Sequence, residues 1–337
     1  MSTIGFGVIG CGGISNVHLT ALSKRDDARI VCVSDINPDA ARGQAEKYGA
    51  GKWVTDANEL LAMPEVNAVV VCTPTFLHPE YVIAAAKAGK HVLCEKPIAM
   101  TLEDADRMIA ACDEAGVFFM IAFVRRFCNE WLKLREIIQS GVLGRPVLWR
   151  GVSGSSGPRS PWFLDAQKGG GPFIDGCVHD WDFARFTFGE PEVVLASVRH
   201  MKEGDSTSLD TGSAIVRFQS GDELMRSWTW GLPGTACRTQ SLSDVIGPKG
   251  ALRFPGAPAQ GSKTNSFILT DGEGVEHALE YEHTIGQEWF DAQMDHFVTC
   301  IKEGRQPSVT GLDGKKALAI ALAVLEAGRT HKPVVLG

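Results

Sequence analysis

The chain lacks clustered cysteines, basic runs and long apolar stretches, and each absence removes a class of protein. Nine cysteines stand at positions 11, 32, 72, 94, 112, 128, 177, 237 and 300, with no C-x-x-C pair among them. A disulfide framework or a structural zinc site would need clustered spacing, so these are expected to be reduced, mostly buried thiols of a cytoplasmic protein. No block of five or more basic residues occurs and the formal net charge is −7, which leaves no electrostatic footprint for nucleic acid. The longest purely apolar run, 317–325, is far short of the roughly 18 residues that a membrane span requires. Met1 leads straight into an apolar segment at 4–9 without a basic region or cleavage site, so neither a secretory leader nor a membrane partner is expected. Internal repeats and low-complexity tails are also lacking.

What is present is ordinary globular material: 337 residues, 44% apolar and 22% charged, enough for two cores. Over the first 122 residues, short β-branched runs at 4–9, 30–34, 67–72, 91–94 and 117–122 alternate with helix-like stretches at 14–22, 38–47, 79–88 and 102–115. That rhythm predicts right-handed crossovers and a parallel sheet covered on both faces. The rhythm then changes. A helix at 129–139 leads to a strand near 146–153, an irregular Gly/Ser/Pro-rich stretch to 172, and a helix over 173–188. β-type runs follow at 193–201, 212–218, 223–231 and 267–270, the turn Ser220-Gly221-Asp222 marking antiparallel pairing. Two helices close the chain, the first with Phe290, Met294, Phe297 and Ile301 on one stripe. The expected fold class is α/β, with a dinucleotide-binding domain at 1–123 and, at 124–337, an α+β domain on a large, mainly antiparallel open sheet.

Gly10-Cys11-Gly12-Gly13-Ile14-Ser15 follows a strand and opens a helix. Glycines there make the tight turn and let backbone N–H groups approach a pyrophosphate at the helix N-terminus. Asp35 ends the second strand, where a carboxylate accepts both hydroxyls of an adenosine ribose and repels the 2′-phosphate of NADP. The duller role for Asp35 is to cap the turn into Pro38. With no arginine directly following it, NAD is the expected cofactor.

Three further motifs come in order: Thr73-Pro74-Thr75-Phe76-Leu77-His78, Glu95-Lys96-Pro97, and Asp175-x-x-x-His179-x-x-Asp182. Together with the glycine turn they resemble the glucose–fructose oxidoreductase/inositol dehydrogenase/rhizopine-catabolism (Gfo/Idh/MocA) family over essentially the whole chain. The stretch from Gly169 to Phe186 is most similar to its inositol dehydrogenase branch. The resemblance implies that Lys96 and His179 face the nicotinamide and the reacting carbon, with Asp175 beside them and a cis bond at Lys96-Pro97. It also places Thr73, Pro74, His78 and Glu95 in or beside the cofactor groove with Gly10, Gly12, Gly13, Ile14 and Asp35. His78 could equally cap the next helix. Thr75 departs from the family, which commonly has Asn there.

The residue types suit the chemistry. Oxidising an alcohol removes a hydroxyl proton while a hydride leaves, and a histidine titrates in the range needed to take that proton. A lysine donates a hydrogen bond to the same oxygen and stabilises developing negative charge. Asp175 and His179, four apart on an expected helix, would share a face. A core histidine satisfied by a carbonyl is the plain alternative for His179. Asp180, about 100° round the helix from His179, is expected on the surface. Asp182 is expected to be structural, for example pairing Arg185 one turn on. Arg125 or Arg126 would approach the site or pair with acids elsewhere. Trp162 and Asp165, in the irregular stretch, suit a polyol ring whose C–H face stacks while its hydroxyls find partners; a tryptophan pinning a long loop is the alternative. No metal is expected, since no ligand set stands at recognisable spacing. The reading is an NAD-dependent dehydrogenase of a cyclic polyol or sugar, assembled as a homo-oligomer, a dimer or tetramer. An NAD-dependent glycosidase and a sugar- or dinucleotide-sensing regulator are the alternatives.

Overall fold

The structure is a computed structural model that describes residues 3–337 apart from Thr235. Its first part alternates strand and helix. It runs β1 (Ile4–Ile9), α1 (Ser15–Ser23), β2 (Ala28–Ser34), α2 (Pro38–Tyr48), β3 (Lys52–Val54) and α3 (Ala57–Leu61). β4 (Ala68–Val71), α4 (His78–Lys87), β5 (His91–Cys94), α5 (Leu102–Ala115) and β6 (Phe119–Ile121) follow. The strands form one parallel sheet in the order β3-β2-β1-β4-β5-β6. Every residue of β1 and β4 is buried, as expected for central strands covered on both faces. The order reverses between β1 and β4, and ligands of such sheets bind beyond the carboxyl ends of the strands at that point. Local chemistry sets the helix ends. Asn37 accepts from the Asp39 and Ala40 N–H groups before Pro38, and Thr101 accepts from Asp104 N–H, as N-caps do.

The next part holds α6 (Asn129–Gln139), β7 (Leu148–Gly154), α7 (Val178–Phe188), β8 (Pro191–Arg199) and β9 (Thr211–Phe218). It continues through β10 (Glu223–Thr229), β11 (Leu242–Gly247), β12 (Gly250–Arg253), β13 (Thr264–Asp271) and β14 (Glu276–Glu282). The chain closes with α8 (Gly286–Glu303), α9 (Gly311–Thr330) and β15 (Val334–Val335). A nine-stranded sheet has the order β14-β13-β12-β11-β7-β10-β9-β8-β15, antiparallel except where β10 runs parallel to β7. One face is apolar and packed: Trp149 of β7 meets Trp131 of α6 at 5.7 Å and Phe183 of α7 at 6.4 Å between ring centroids.

The compact units are discontinuous in sequence. One comprises Met1–Phe127 with Ile285–Lys315, the other Cys128–Thr284 with Lys316–Gly337, so the division falls inside α9. Residues 285–315, which the sequence reading put with the second domain, pack in the first unit. The stripe on α8 is the cause: Phe290 meets His18 at 5.5 Å and Phe297 meets Phe6 at 6.3 Å between centroids.

A second difference bears on the site. The helix expected over 173–188 is interrupted. Pro172–Gly176 forms a wide turn in which Cys177 N–H donates to Pro172 O at 2.7 Å, five residues back, and the α-helix starts only at Val178. Asp175 therefore stands in the turn and His179 in the first turn of α7, so the four-residue helical spacing does not apply to the pair. Single wide turns of this kind are frequent at functional sites.

Candidate active site

In the first unit, β1 delivers the chain to the glycine turn. Gly10 has φ +93°, and a Cβ there would stand 2.8 Å from the backbone carbon and oxygen of Cys72, so only glycine lets the turn lie against the end of β4. Ser15 closes the turn, its Oγ–H donating to Gly12 O at 2.6 Å. On the outer side a Cβ on Gly12 or Gly13 would meet nothing within 4 Å. α1 has no side-chain cap at its N-cap residue Ile14, and the N–H groups of Ser15, Asn16 and Val17 donate to Gly12 O, Gly13 O and Ile14 O at 3.2–3.4 Å.

Asp35 does two things at once. Its Oδ1 accepts Asn37 N–H at 2.8 Å, the capping role, and its Oδ2 accepts Cys11 N–H at 2.7 Å, which ties the end of β2 to the glycine turn. Burial first, then the charge of Asp35, pushes the Cys11 thiol up to about 12; it stays protonated and inert. Thr73 Oγ, just past β4, is buried without a hydrogen-bond partner. An open glycine turn, an uncapped helix, a carboxylate at the end of β2 and an orphaned hydroxyl form a donor and acceptor set that fits a dinucleotide.

The Glu95-Lys96-Pro97 loop leaves β5 at the same end of the sheet. The Lys96–Pro97 bond is cis. Glu95 is buried, and both of its carboxylate oxygens are engaged: His18 Nε2 lies 2.7 Å from Oε1, and Lys96 N–H donates to Oε2 at 3.1 Å. Burial acts to raise the Glu95 pKa, but the His18 bond and the nearby Lys96 charge outweigh it and hold the carboxyl below its ordinary range. The His78 side chain does not cap the next helix. It is buried with Nδ1 2.8 Å from Pro97 O and Nε2 2.9 Å from Thr73 O, joining the two loops. Burial lowers its pKa in spite of these carbonyls. Lys96 and Arg125 are half-buried. Arg126 pairs Asp313 at 3.1 Å within the same unit.

In the second unit Asp175 is buried in the wide turn and His179 is half-buried at the start of α7. Asp180 corrects the sequence reading. It is 1% exposed, and its carboxylate lies 3.2 Å from Arg226 Nε on β10. Arg226 fits because its neighbour across the ladder is Gly151, where a Cβ would stand 2.1 Å from the guanidinium. The guanidinium lies 4.4 Å from the Trp228 ring centroid. Trp228 and Trp230 in turn border Gly176, next to Asp175. Arg185 pairs Glu190 at 2.8 Å.

Both loop residues take part in the loop's own structure. Trp162 stacks on Phe163 at 3.7 Å, and Asp165 accepts Gln167 N–H at 2.8 Å and pairs Lys168 at 3.1 Å. The Gln167 N–H bond first, then Lys168, hold the Asp165 carboxyl below its usual range.

The sequence reading missed His18 and Arg226. A histidine flanked by Val17 and Leu19 on the helix that opens at the glycine turn is a signal for the first. Arg226 offered only an arginine in a β-type run. Among the described residues, no group of three or more His, Cys, Asp or Glu is placed to hold a metal ion, and no helix is long and apolar enough to cross a membrane.

A parallel six-stranded dinucleotide unit and a unit built on a nine-stranded open sheet define a nucleotide-dependent oxidoreductase of two-unit type. Residues 4–123 match the oxidoreductase family with the NAD-binding Rossmann fold, and residues 131–253 match the GFO/IDH/MocA C-terminal domain. The chain is 34% identical to the myo-inositol 2-dehydrogenase of Thermotoga maritima over 98% of each protein. It is 31% identical to the inositol 2-dehydrogenase of Rhizobium meliloti over 96% of each. A probable dehydrogenase from Thermotoga maritima has the same fold, with TM-score 0.80 and 32% identity over 98% of each chain. The chain belongs to the GFO/IDH/MocA oxidoreductase family and is an NAD-dependent oxidoreductase acting on CH–OH groups.

Proposed function

We propose that the protein oxidises a secondary hydroxyl of a cyclic polyol or sugar, myo-inositol-like, to the ketone. The observation that carries the reading is the presence of Lys96, Asp175 and His179 at motif positions in a chain that matches inositol 2-dehydrogenases end to end. When bound, NAD accepts the hydride from the carbinol carbon. The glycine turn Gly10, Gly12, Gly13 and Ile14 would hold its pyrophosphate, Asp35 its ribose, and Thr73 and Pro74 would line its groove. In this reading His179 takes the hydroxyl proton on an imidazole nitrogen, an effect worth about 10²–10⁴-fold. Lys96 donates a hydrogen bond to the same oxygen as its negative charge develops, and Asp175 orients the imidazole or holds a neighbouring hydroxyl. Arg125, Trp162 and Asp165 are the further substrate contacts proposed; Trp162 and Asp165 carry the loop's own structure as well. The test is a screen of polyols and sugars with NAD, following NADH absorbance. Net, stoichiometric NADH formation with a cyclic polyol supports the reading. Turnover of a glycoside with no net NADH would replace it with transient oxidation.

The same reading makes the protein a cytoplasmic homo-oligomer, dimer or tetramer. Its nine cysteines are free, as a reducing compartment keeps them. The nine-stranded sheet leaves one face uncovered by its own helices: Leu195, Ile215 and Met225 stand side by side across β8, β9 and β10, and Leu195 and Leu242 are exposed. Light scattering coupled to gel filtration tests this, a monomer at micromolar concentration counting against it.

A further inference from the structure

We propose that His18 is a positioning residue for Lys96, acting through Glu95, whose carboxylate it holds in one place. The inference rests on the reading above that Lys96 serves the reacting oxygen, and it assigns a task to a residue that reading leaves out.

Three observations support it. Glu95 divides its two oxygens between His18 Nε2, at 2.7 Å, and the backbone N–H of Lys96, at 3.1 Å. The carboxylate is thus a bridge, one end on α1 and the other on the residue whose side chain matters. The His18 side chain is 1% exposed and its other nitrogen, Nδ1, has no hydrogen-bond partner among the described residues. Glu95 is the ring's sole hydrogen-bonding anchor there, with the edge of Phe290 at 5.5 Å as its packing neighbour. Finally, His18 lies one turn into the helix that opens at the glycine turn, three residues past Ser15, which itself closes that turn on Gly12. The pair therefore joins the two loops at the carboxyl end of the sheet that the proposed chemistry uses.

The physics gives the donor a definite task. A buried carboxylate without a donor is driven toward its neutral form, because a low-dielectric site penalises the charge. A neutral Glu95 would no longer place a fixed negative charge beside Lys96. Its oxygens would accept the Lys96 N–H more weakly, since bonds to ionised acceptors are about twice as strong as neutral ones. Glu95 is held ionised by the His18 bond and by the Lys96 charge together, so removing the donor acts on the lysine rather than only on the core.

The experiment uses the full chain and three variants, His18→Leu, His18→Gln and Glu95→Gln, with three measurements. NADH affinity is read by fluorescence titration. Lysine reactivity is read by trace acetylation with acetic anhydride and peptide mass spectrometry. Steady-state kcat and KM are read with whichever polyol forms NADH. For His18→Leu the expected result is a change of about threefold or more in the acetylation rate of Lys96, with Lys302 of the same unit unchanged. Its kcat should fall by about 10–100-fold, the worth of one hydrogen bond to a charged group, while KM and NADH affinity stay within about threefold. His18→Gln keeps an N–H donor and should recover most of both effects. The double variant His18→Leu with Glu95→Gln should be no worse than Glu95→Gln alone, as for residues acting in one chain. Unchanged Lys96 reactivity in His18→Leu overturns the proposal, as does a glutamine variant as damaged as the leucine one. Parallel losses of NADH affinity and kcat would mark His18 as a core residue only and also overturn it. Should His18→Leu fail to fold, Glu95→Gln must still change Lys96 labelling, or the proposal falls. Lys96→Ala separates the two readings: normal kcat in that variant removes the role of Lys96, whereas labelling reports on His18 in either case.

Discussion

Glu95 and Asp180 are both buried carboxylates, and each adjoins in sequence a residue assigned to the chemistry, Lys96 in one unit and His179 in the other. Their partners differ. Glu95 is held by His18 on one oxygen and accepts the backbone N–H of Lys96 on the other. Asp180 is held by Arg226, always charged, whose guanidinium also lies against Trp228. The first carboxylate bonds directly to the residue assigned to the chemistry. The second neutralises itself and fixes the start of α7, where an acid in the first turn is favourable in any case. Similar burial thus serves different ends, and what else each carboxylate touches decides which.

The sharpest way to break this comparison is at His179 itself. If it takes the hydroxyl proton, His179→Ala should lower kcat by about 10²–10⁴-fold with NAD affinity little changed. Near-normal turnover would end the assignment and leave Lys96 or Asp175 as the base. Lys96→Ala should be comparably damaging, and the two losses should not add, because both residues serve one transition state. The second test addresses the scaffold. Arg226→Met removes the arginine from a buried ion pair with Asp180 and should cost about 3–5 kcal/mol of stability. Denaturant unfolding measures it, and a loss under about 1 kcal/mol would show that Asp180 does not depend on Arg226.

How much of this was legible follows from where each signal resides. The parallel sheet was readable because glycine turns, β-branched runs and helix periodicity are local, as is the bond from Asn37 N–H to Asp35. Asp180 was misread as a surface charge because its partner is on a strand 46 residues away (226 − 180), and because Gly151, on yet another strand, makes the room. β11, β12 and β14 were missed since Leu242–Gly247, Gly250–Arg253 and Glu276–Glu282 are short or polar and gain their pairing only from neighbours. The wide turn at 172–176 falls where Gly176, a weak helix former, lies against Trp230, a contact the sequence pattern does not show. His18 was overlooked for the opposite reason: it looks like a core histidine because it is one, and only its partner makes it more.

A smaller effect is expected at Asp35, where the bond to Cys11 N–H already uses part of the carboxylate. Asp35→Ala should weaken NADH binding by about 10–100-fold, the worth of hydrogen bonds to a charged acceptor, and narrow the preference over NADPH. Equal affinity of the unaltered protein for both dinucleotides would show that the carboxylate serves the turn alone.

The smallest effect concerns acid, and it separates the two buried pairs by the nature of their bases. Glu95 has a folded-state pKa below its unfolded value, the His18 bond and the Lys96 charge outweighing burial. A depressed carboxyl contributes stability that is fully present above the unfolded pKa, about 4.3 for glutamate, and is lost as pH falls through the folded one. Between pH 7 and 5 the Glu95 contribution should therefore be flat. Below the ordinary glutamate range the parent protein should lose stability more steeply than Glu95→Gln, which has no proton to gain there. Asp27, held at about 2 by Arg25 and Lys302, has the same sign and is common to both proteins, so it cancels in the difference. Denaturant unfolding of parent and variant at half-unit steps from pH 6 to 3 measures that difference. Parallel curves across the range would mean that Glu95 is not held ionised by its neighbours, and the contrast with the arginine-bound Asp180 would lose its electrostatic basis.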